Sequence, residues 1–228
     1  MKSVFVHNDN VSKFCDICEE LESPESMIGP SLAIVSGRAG LGKSESAKFF
    51  ATQNSSVYVP PLNTRTPAMI LREICFELCK ARPFRTDDCL ILIATEMAKQ
   101  RRLVVIDEAD LLGLHVLECL RNVSEMYSFP ILFIGEGHQL DSKIASRRRL
   151  SSRIRRRLEF GLITQADILQ YLRRALDVKV SPEVCSFIHR FCEGNWRPLL
   201  VLAAGIEKAL KASGANEISM NLMKQITA

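Results

Sequence analysis

Apolar residues in this chain follow two periods, and the two alternate along its first two thirds. Five short, mostly apolar runs, Leu32 to Ser36, Val57 to Pro60, Leu103 to Asp107, Ile131 to Gly135 and Leu158 to Leu162, predict buried strands. Between them, apolar positions return every three or four residues, as in helices. Ile70, Leu71, Ile74, Cys75, Leu78 and Cys79 form one such stripe, opened by Thr66-Pro67, a capping residue with proline at the first helical position. Ile91, Ala94, Met97 and Ala98 follow Thr86-Asp87-Asp88, and Leu117, Leu120 and Val123 mark a third helix. Strands alternating with helices predict an α/β fold, a mostly parallel sheet covered on both faces.

After about Thr164 the strand pattern stops. Thr164-Gln165-Ala166-Asp167 starts a helix with Ile168, Leu169 and Leu172 as its stripe. Ser181-Pro182-Glu183 opens a second, which ends near Gly194. Arg197-Pro198 opens a third, running to Gly214, and a short last helix is expected from Ser219 to Ile226. The expected organisation is an α/β domain over residues 1–163 and a small all-helical lid over 164–228.

Composition narrows the field. No apolar stretch approaches the roughly 20 residues of a membrane span. Met1-Lys2-Ser3-Val4 does not open a secretory signal, so the expected compartment is the cytoplasm, the host's if the gene is phage-borne. In that compartment the eight cysteines do not suggest a disulfide framework, and Cys75, Cys79, Cys119, Cys185 and Cys192, within apolar helical patterns, read as small core residues. Cys15-x-x-Cys18 alone has metal-like spacing; a buried helix face and a zinc site are its two readings. The net charge is only +4, yet Arg147, Arg148, Arg149, Arg153, Arg155, Arg156 and Arg157 crowd together, and Lys99 to Arg102 form a second basic patch. Such runs are either solvated faces or contacts for an anionic partner.

The chemistry starts at Gly37-Arg38-Ala39-Gly40-Leu41-Gly42-Lys43-Ser44, which fits G-x-x-x-x-G-K-[ST] between a predicted strand and a predicted helix. The glycines let backbone N–H groups turn toward phosphate oxygens, and the helix N-terminus adds partial positive charge. Lys43 is expected to reach the β- and γ-phosphates and the Ser44 hydroxyl to ligate Mg²⁺, which points to bound ATP or GTP. In Leu103-Val104-Val105-Ile106-Asp107-Glu108 a strand ends in two carboxylates. Asp107 is expected in the Mg²⁺ shell and Glu108 as the group that orients and polarises the attacking water; an acidic cap on the next helix is the plainer alternative.

Ala109-Asp110 completes the letters D-E-A-D, but RNA helicases need two tandem α/β domains, and this chain is too short for them. In hydrolases of this build a polar residue at the end of the fourth strand helps position water; here that place falls to Glu136, or else His138, with the plain start of a solvated loop as the alternative for Glu136. Arg153, in Leu150-Ser151-Ser152-Arg153-Ile154, is placed to reach a neighbouring subunit's γ-phosphate, with Arg149, Arg156 and Arg157 as rivals. Arg197, in Gly194-Asn195-Trp196-Arg197-Pro198-Leu199, opens a lid helix and is a candidate contact to the same phosphate.

With these elements in order, the chain resembles the AAA+ ATPases over nearly its whole length. The Leu-Ser-Ser-Arg-Ile and Gly-Asn-Trp-Arg segments are similar to the initiator and transposition branches. Val57-Tyr58-Val59, Arg65-Thr66-Pro67, Leu71-Arg72-Glu73-Ile74, Glu118-Cys119-Leu120-Arg121 and Ile134-Gly135-Glu136 resemble the target-selection ATPases of transposable phages, the Mu B type, and their Tn7-type relatives.

The resemblance implies a P-loop fold with a five-stranded parallel sheet and a lid, and ATP and Mg²⁺ as cofactors. It also implies an oligomer, helical filament or ring, that coats duplex DNA, selects target, stimulates a transposase and disassembles on hydrolysis. Lys43 and Ser44 would bind nucleotide and Mg²⁺, Asp107 and Glu108 would serve hydrolysis, Arg153 would be the finger and Arg197 the lid sensor. Glu136 stands where that family has a neutral polar residue, which leaves the hydrolysis rate open. The sequence starts close to the ATPase core, without the helix-turn-helix domain that precedes it in the Mu B type. DNA contacts are therefore expected from the core, at Thr64 and Arg65 and at Lys99, Arg101 and Arg102. A replication initiator or helicase loader, or a nucleotide-gated scaffold that does not hydrolyse, would share the nucleotide residues.

Overall fold

The run Leu32–Ser36 is apolar at nearly every position because other strands flank it on both sides. The computed structural model describes residues 2–61, 66–214 and 217–227; the candidate contacts Thr64 and Arg65 lie outside them. The strands are β1 (Leu32–Ser36), β2 (Val57–Val59), β3 (Val104–Ile106), β4 (Ile131–Ile134) and β5 (Ile154–Glu159). They form one sheet in the order β2-β3-β4-β1-β5, with every pairing parallel. Val35 pairs with Ile134, and Ile106 with both Phe133 and Val59, so β1 to β4 end almost level. The residues that follow, Gly37, Pro60, Asp107 and Gly135, emerge at one edge. The ladder runs slightly past the strands there: Asp107 N donates to Val59 O (3.1 Å) and Gly135 N to Val35 O (3.0 Å).

Helices α1 (Asp9–Glu22), α2 (Lys43–Asn54), α3 (Pro67–Cys79), α4 (Thr86–Lys99), α5 (Leu114–Tyr127), α6 (Gly137–Ala145) and α7 (Arg148–Ser151) connect and cover the strands. Thr66 Oγ1 accepts from Met69 N at the start of α3, with Pro67 at the first helical position, so this helix begins where its capping signal lies. Its stripe, Ile70, Leu71, Ile74 and Cys75, joins Ile93, Leu117, Leu120, Ile34 and Phe133 in one core. Phe14 of α1 meets Phe50 and Phe160 edge-on, with ring centroids 6.4 and 6.2 Å away.

The last strand departs from the sequence expectation. It lies at Ile154–Glu159, not over Leu158 to Leu162, and it carries Arg155, Arg156 and Arg157. As an edge strand it has only β1 beside it, so the rule that a strand of this sheet must be apolar throughout does not apply. Charge on an edge also blocks pairing with another chain. Much of the arginine cluster is therefore tied down locally: Arg155 Nε donates to Pro30 O (2.8 Å), Arg156 Nε pairs with Glu20 Oε2 (2.7 Å), and Arg157 pairs with Asp141.

Residues Val11–Ala39 and Lys43–Phe160 make up this α/β unit, and the other described residues form a second compact unit. That second unit holds α8 (Gln165–Leu176), α9 (Pro182–Cys192), α10 (Trp196–Ser213) and α11 (Met220–Thr227) around Ile168, Leu172, Val184, Ile188, Leu199, Ile206 and Met223. It also takes in the N-terminal residues up to Asn10 and the segment from Gly161. Asn10 explains this pairing, because its side-chain amide donates to Gly161 O (2.8 Å) and accepts from Gly161 N (3.1 Å). Thr164 and Asp167 form a capping box at the start of α8. Thr164→Ala should cost about 1 kcal/mol, read as faster amide exchange in α8 with the exchange of β1 to β4 unchanged.

Candidate functional site

The loop after β1 combines unusual backbone with a buried cation. Gly37, Gly40 and Gly42 all have left-handed φ (+144°, +81° and +97°). Lys43 is buried, and its ammonium donates to Gly37 O (2.6 Å) and Arg38 O (2.9 Å), so the side chain lies back along its own loop. Ser44 follows in the first turn of α2. Gly40–Gly42 group with the helical unit, where Trp196 N donates to Gly40 O (3.1 Å). A methyl group on Gly40 would run into the side-chain amide of Asn195. Asn195 caps α10 by accepting from Arg197 N (2.8 Å), which leaves the Arg197 side chain exposed at the helix start.

The two acids after β3 are held differently. Asp107 is buried; its Oδ1 accepts from Glu108 N (2.9 Å) and its Oδ2 from the Tyr58 hydroxyl (2.7 Å). Glu108 is exposed and has φ +49°. Six non-glycine residues among those described have left-handed φ, and five of them directly follow a helix, where that conformation ends it. Glu108 alone comes just after a strand. A non-glycine residue held in this region at a strand end costs energy and marks a constrained backbone.

Asp110 has a role the sequence did not reveal. It is buried, and its Oδ1 accepts from Glu136 N (3.1 Å), which fixes the backbone at the end of β4. Lys143 closes the same turn by donating to Leu112 O (2.7 Å) and to Asp110 O. The side chains of Glu136 and His138 are exposed at the start of α6. The only signal for this in the sequence was an acid three positions after Asp107, a spacing that many helix starts share.

The other candidates lie on the surface or point inward. Arg153 sits between α7 and β5 and pairs with Glu125 of α5. Burial works against ionisation of Glu125, yet the bonds from Arg153 and Arg121 hold its carboxyl below the usual range. Lys99 pairs with Glu96 (2.6 Å), and Arg102 bonds Gln100 (3.4 Å). Arg101 turns away from solvent instead. Its guanidinium donates to the carbonyls of Leu21 (3.1 Å), Glu22 (3.2 Å) and Ser128 (3.1 Å) and to Ser26 Oγ (2.8 Å), so it clamps the end of α1. That use is incompatible with the expected DNA contact. Cys15 and Cys18 lie on α1, Cys18 buried, and no group of three or more His, Cys, Asp or Glu suited to a metal ion occurs among the described residues.

The donor set suits magnesium. Mg²⁺ takes hard oxygen ligands, keeps several waters and relies on one or two protein groups plus phosphate oxygens. Ser44 offers a hydroxyl, and the Asp107 carboxylate retains lone pairs beyond the two that accept protein hydrogen bonds.

Two outcomes follow from this geometry. Gly40→Ala should abolish nucleotide binding in a fluorescent-analogue titration, because the new methyl strains φ and displaces Asn195. Arg101→Ala should lower the unfolding free energy by about 2 kcal/mol in urea, with Lys restoring little, because an ammonium lacks the planar fork.

Comparison with known proteins agrees with this architecture. The chain is 30% identical over 146 residues to the "ATP-dependent target DNA activator B" of Escherichia phage Mu, covering 60% of this chain and 47% of that protein. The protein of the same name from Escherichia phage D108 matches to the same extent. The chain thus spans about half the length of the curated relatives it matches. Among solved structures, the Aeropyrum pernix ORC2 protein in its ADPNP–ADP complexes superposes with a TM-score of 0.73 at 17% identity, covering 98% of this chain and 67% of that one. That is a likeness of fold. Residues 28–144, just over half of the chain, match the AAA domain family, and the chain belongs to that family.

Proposed function

We propose that this chain is an ATPase that binds duplex DNA when ATP is bound, selects target DNA and recruits and stimulates a transposase. The observation that carries the reading is the level ending of β1, β3 and β4. It brings the phosphate loop, Asp107-Glu108 and Glu136 to one edge of the sheet. The likeness to the phage Mu activator supports the DNA and transposition part. A replication initiator would use the same nucleotide residues, and its partner would differ.

In this reading residues 1–163 are the nucleotide-binding domain and 164–228 the lid, and the protein works in the cytoplasm. Lys43 leaves its loop carbonyls for the β- and γ-phosphates, and backbone N–H groups of the loop hold the remaining oxygens. Ser44 and Asp107 hold Mg²⁺, which when bound neutralises charge on the phosphates. Glu108 orients a water toward the γ-phosphate and accepts its proton, while Glu136 borders that water. Arg153 serves a neighbouring protomer's site and Arg197 senses the γ-phosphate from the lid. Assembly into a filament or ring on DNA follows ATP binding, and hydrolysis releases it, slowly until DNA or transposase stimulates it. Lys99 and Arg102 are left as the described candidates for DNA contact.

Glu108→Gln should lower ATP turnover by about 10² to 10⁴-fold while keeping ATP-dependent DNA binding, so that assemblies persist. Turnover equal to wild type removes Glu108 as the base. DNA affinity should require ATP and fall steeply and linearly on a log–log plot against salt; binding unchanged without nucleotide refutes the switch. Recovery of a replicative helicase rather than a transposase in a pull-down would replace the transposition reading.

A further inference from the structure

Asp107 is held from two directions, and one of the holders is a side chain from the neighbouring strand. Tyr58 is the middle residue of β2, between buried Val57 and Val59, and its own side chain takes the other face of the sheet. In register it pairs with Val105, and its ring extends toward the carboxyl edge until the hydroxyl lies 2.7 Å from Asp107 Oδ2. The backbone fixes the other side: Glu108 N donates to Oδ1 (2.9 Å), and Asp107 N donates to Val59 O (3.1 Å). A carboxylate is otherwise loose about its last torsion, which has broad wells. With one donor on each oxygen that freedom is gone.

In this pair the phenol O–H is the donor, because an ionised carboxylate oxygen only accepts. Partners of this kind, one step removed from a metal, commonly change metal affinity or activity by about 10- to 100-fold when lost.

We propose that Tyr58 is a positioning residue for the cation end of the site: its hydroxyl holds the Asp107 carboxylate so that the remaining lone pairs face magnesium or magnesium-bound water. The inference rests on the reading of Asp107 as the magnesium residue. In this role Tyr58 acts through Asp107, the carboxylate it bonds.

The test uses Tyr58→Phe in the whole chain, which keeps the ring and removes one oxygen. Binding of a fluorescent ATP analogue is titrated with Mg²⁺ and repeated in EDTA, and Mn²⁺ binding is read directly by electron paramagnetic resonance. The expected result is about tenfold weaker Mg²⁺ and Mn²⁺ binding in the nucleotide complex, with affinity in EDTA unchanged. Wild-type metal affinity in the variant overturns the proposal. So does an equal loss in EDTA and in Mg²⁺, which indicates that the hydroxyl merely stabilises the fold. Asp107→Asn separates the two levels. If it abolishes the Mg²⁺ effect while Tyr58→Phe does not, only the role of Tyr58 fails. If Asp107→Asn also leaves the Mg²⁺ effect intact, the magnesium reading of Asp107 fails with it.

Discussion

Parallel pairing on both sides of β1 is the constraint on which the rest of this molecule depends. A strand hydrogen-bonded to β4 and β5 along its length has its register set by two ladders at once. A one-residue slip would turn every buried side chain to the opposite face. Because all five strands run in the same direction, fixing the register also fixes where their carboxyl ends fall. Residues far apart in the chain, Lys43, Asp107 and Glu136, then follow strand ends that share one rim. Ligands of open α/β sheets bind at that edge for the same reason.

At that edge the precision comes from backbone more than from charge. Asp107 is oriented by its neighbour's N–H, Glu136 by Asp110, and Glu108 by a left-handed turn that only a strand end imposes on it. These contacts cost little entropy once the sheet has formed, because each joins residues already placed by β3 or β4. The buried acids Asp107 and Asp110 are each satisfied by a hydrogen-bond donor, without which burial would cost several kcal/mol (about 2–7).

The sequence could be read well where one physical rule governed a segment and poorly where two competed. The central strands are short and apolar, so β1 and β4 fall within a residue of expectation. Capped helix starts at Thr66, Thr164 and Ser181 lie where their capping side chains predicted. β5 was misplaced because an edge position relaxes the demand for apolar residues, so its arginines read as surface. Arg101 was misjudged for a related reason. Its charge said surface, whereas its geometry collects four acceptors around the end of α1, a choice visible only when residues some 80 positions apart meet. Asp110 and Tyr58 were missed because a hydrogen bond across strands leaves no local pattern in the chain.

The same distinction separates the contacts within the arginine cluster. Arg156 and Arg157 bond to carboxylates on the face of their own chain, and Arg155 is anchored further by backbone carbonyls. Moving Arg155 would break its bonds to Pro30 O and Ile28 O (2.8 Å each). Arg153's partner Glu125 is also held by Arg121 (2.7 Å) and would keep a cation beside it if Arg153 left, as Glu20 would keep Arg155 (3.7 Å) if Arg156 left. An exposed pair of this kind contributes only about 0.2–1 kcal/mol, far less than an arginine gains from a developing phosphate charge in a dry site. The present contact of Arg153 is thus cheap to exchange for another anion.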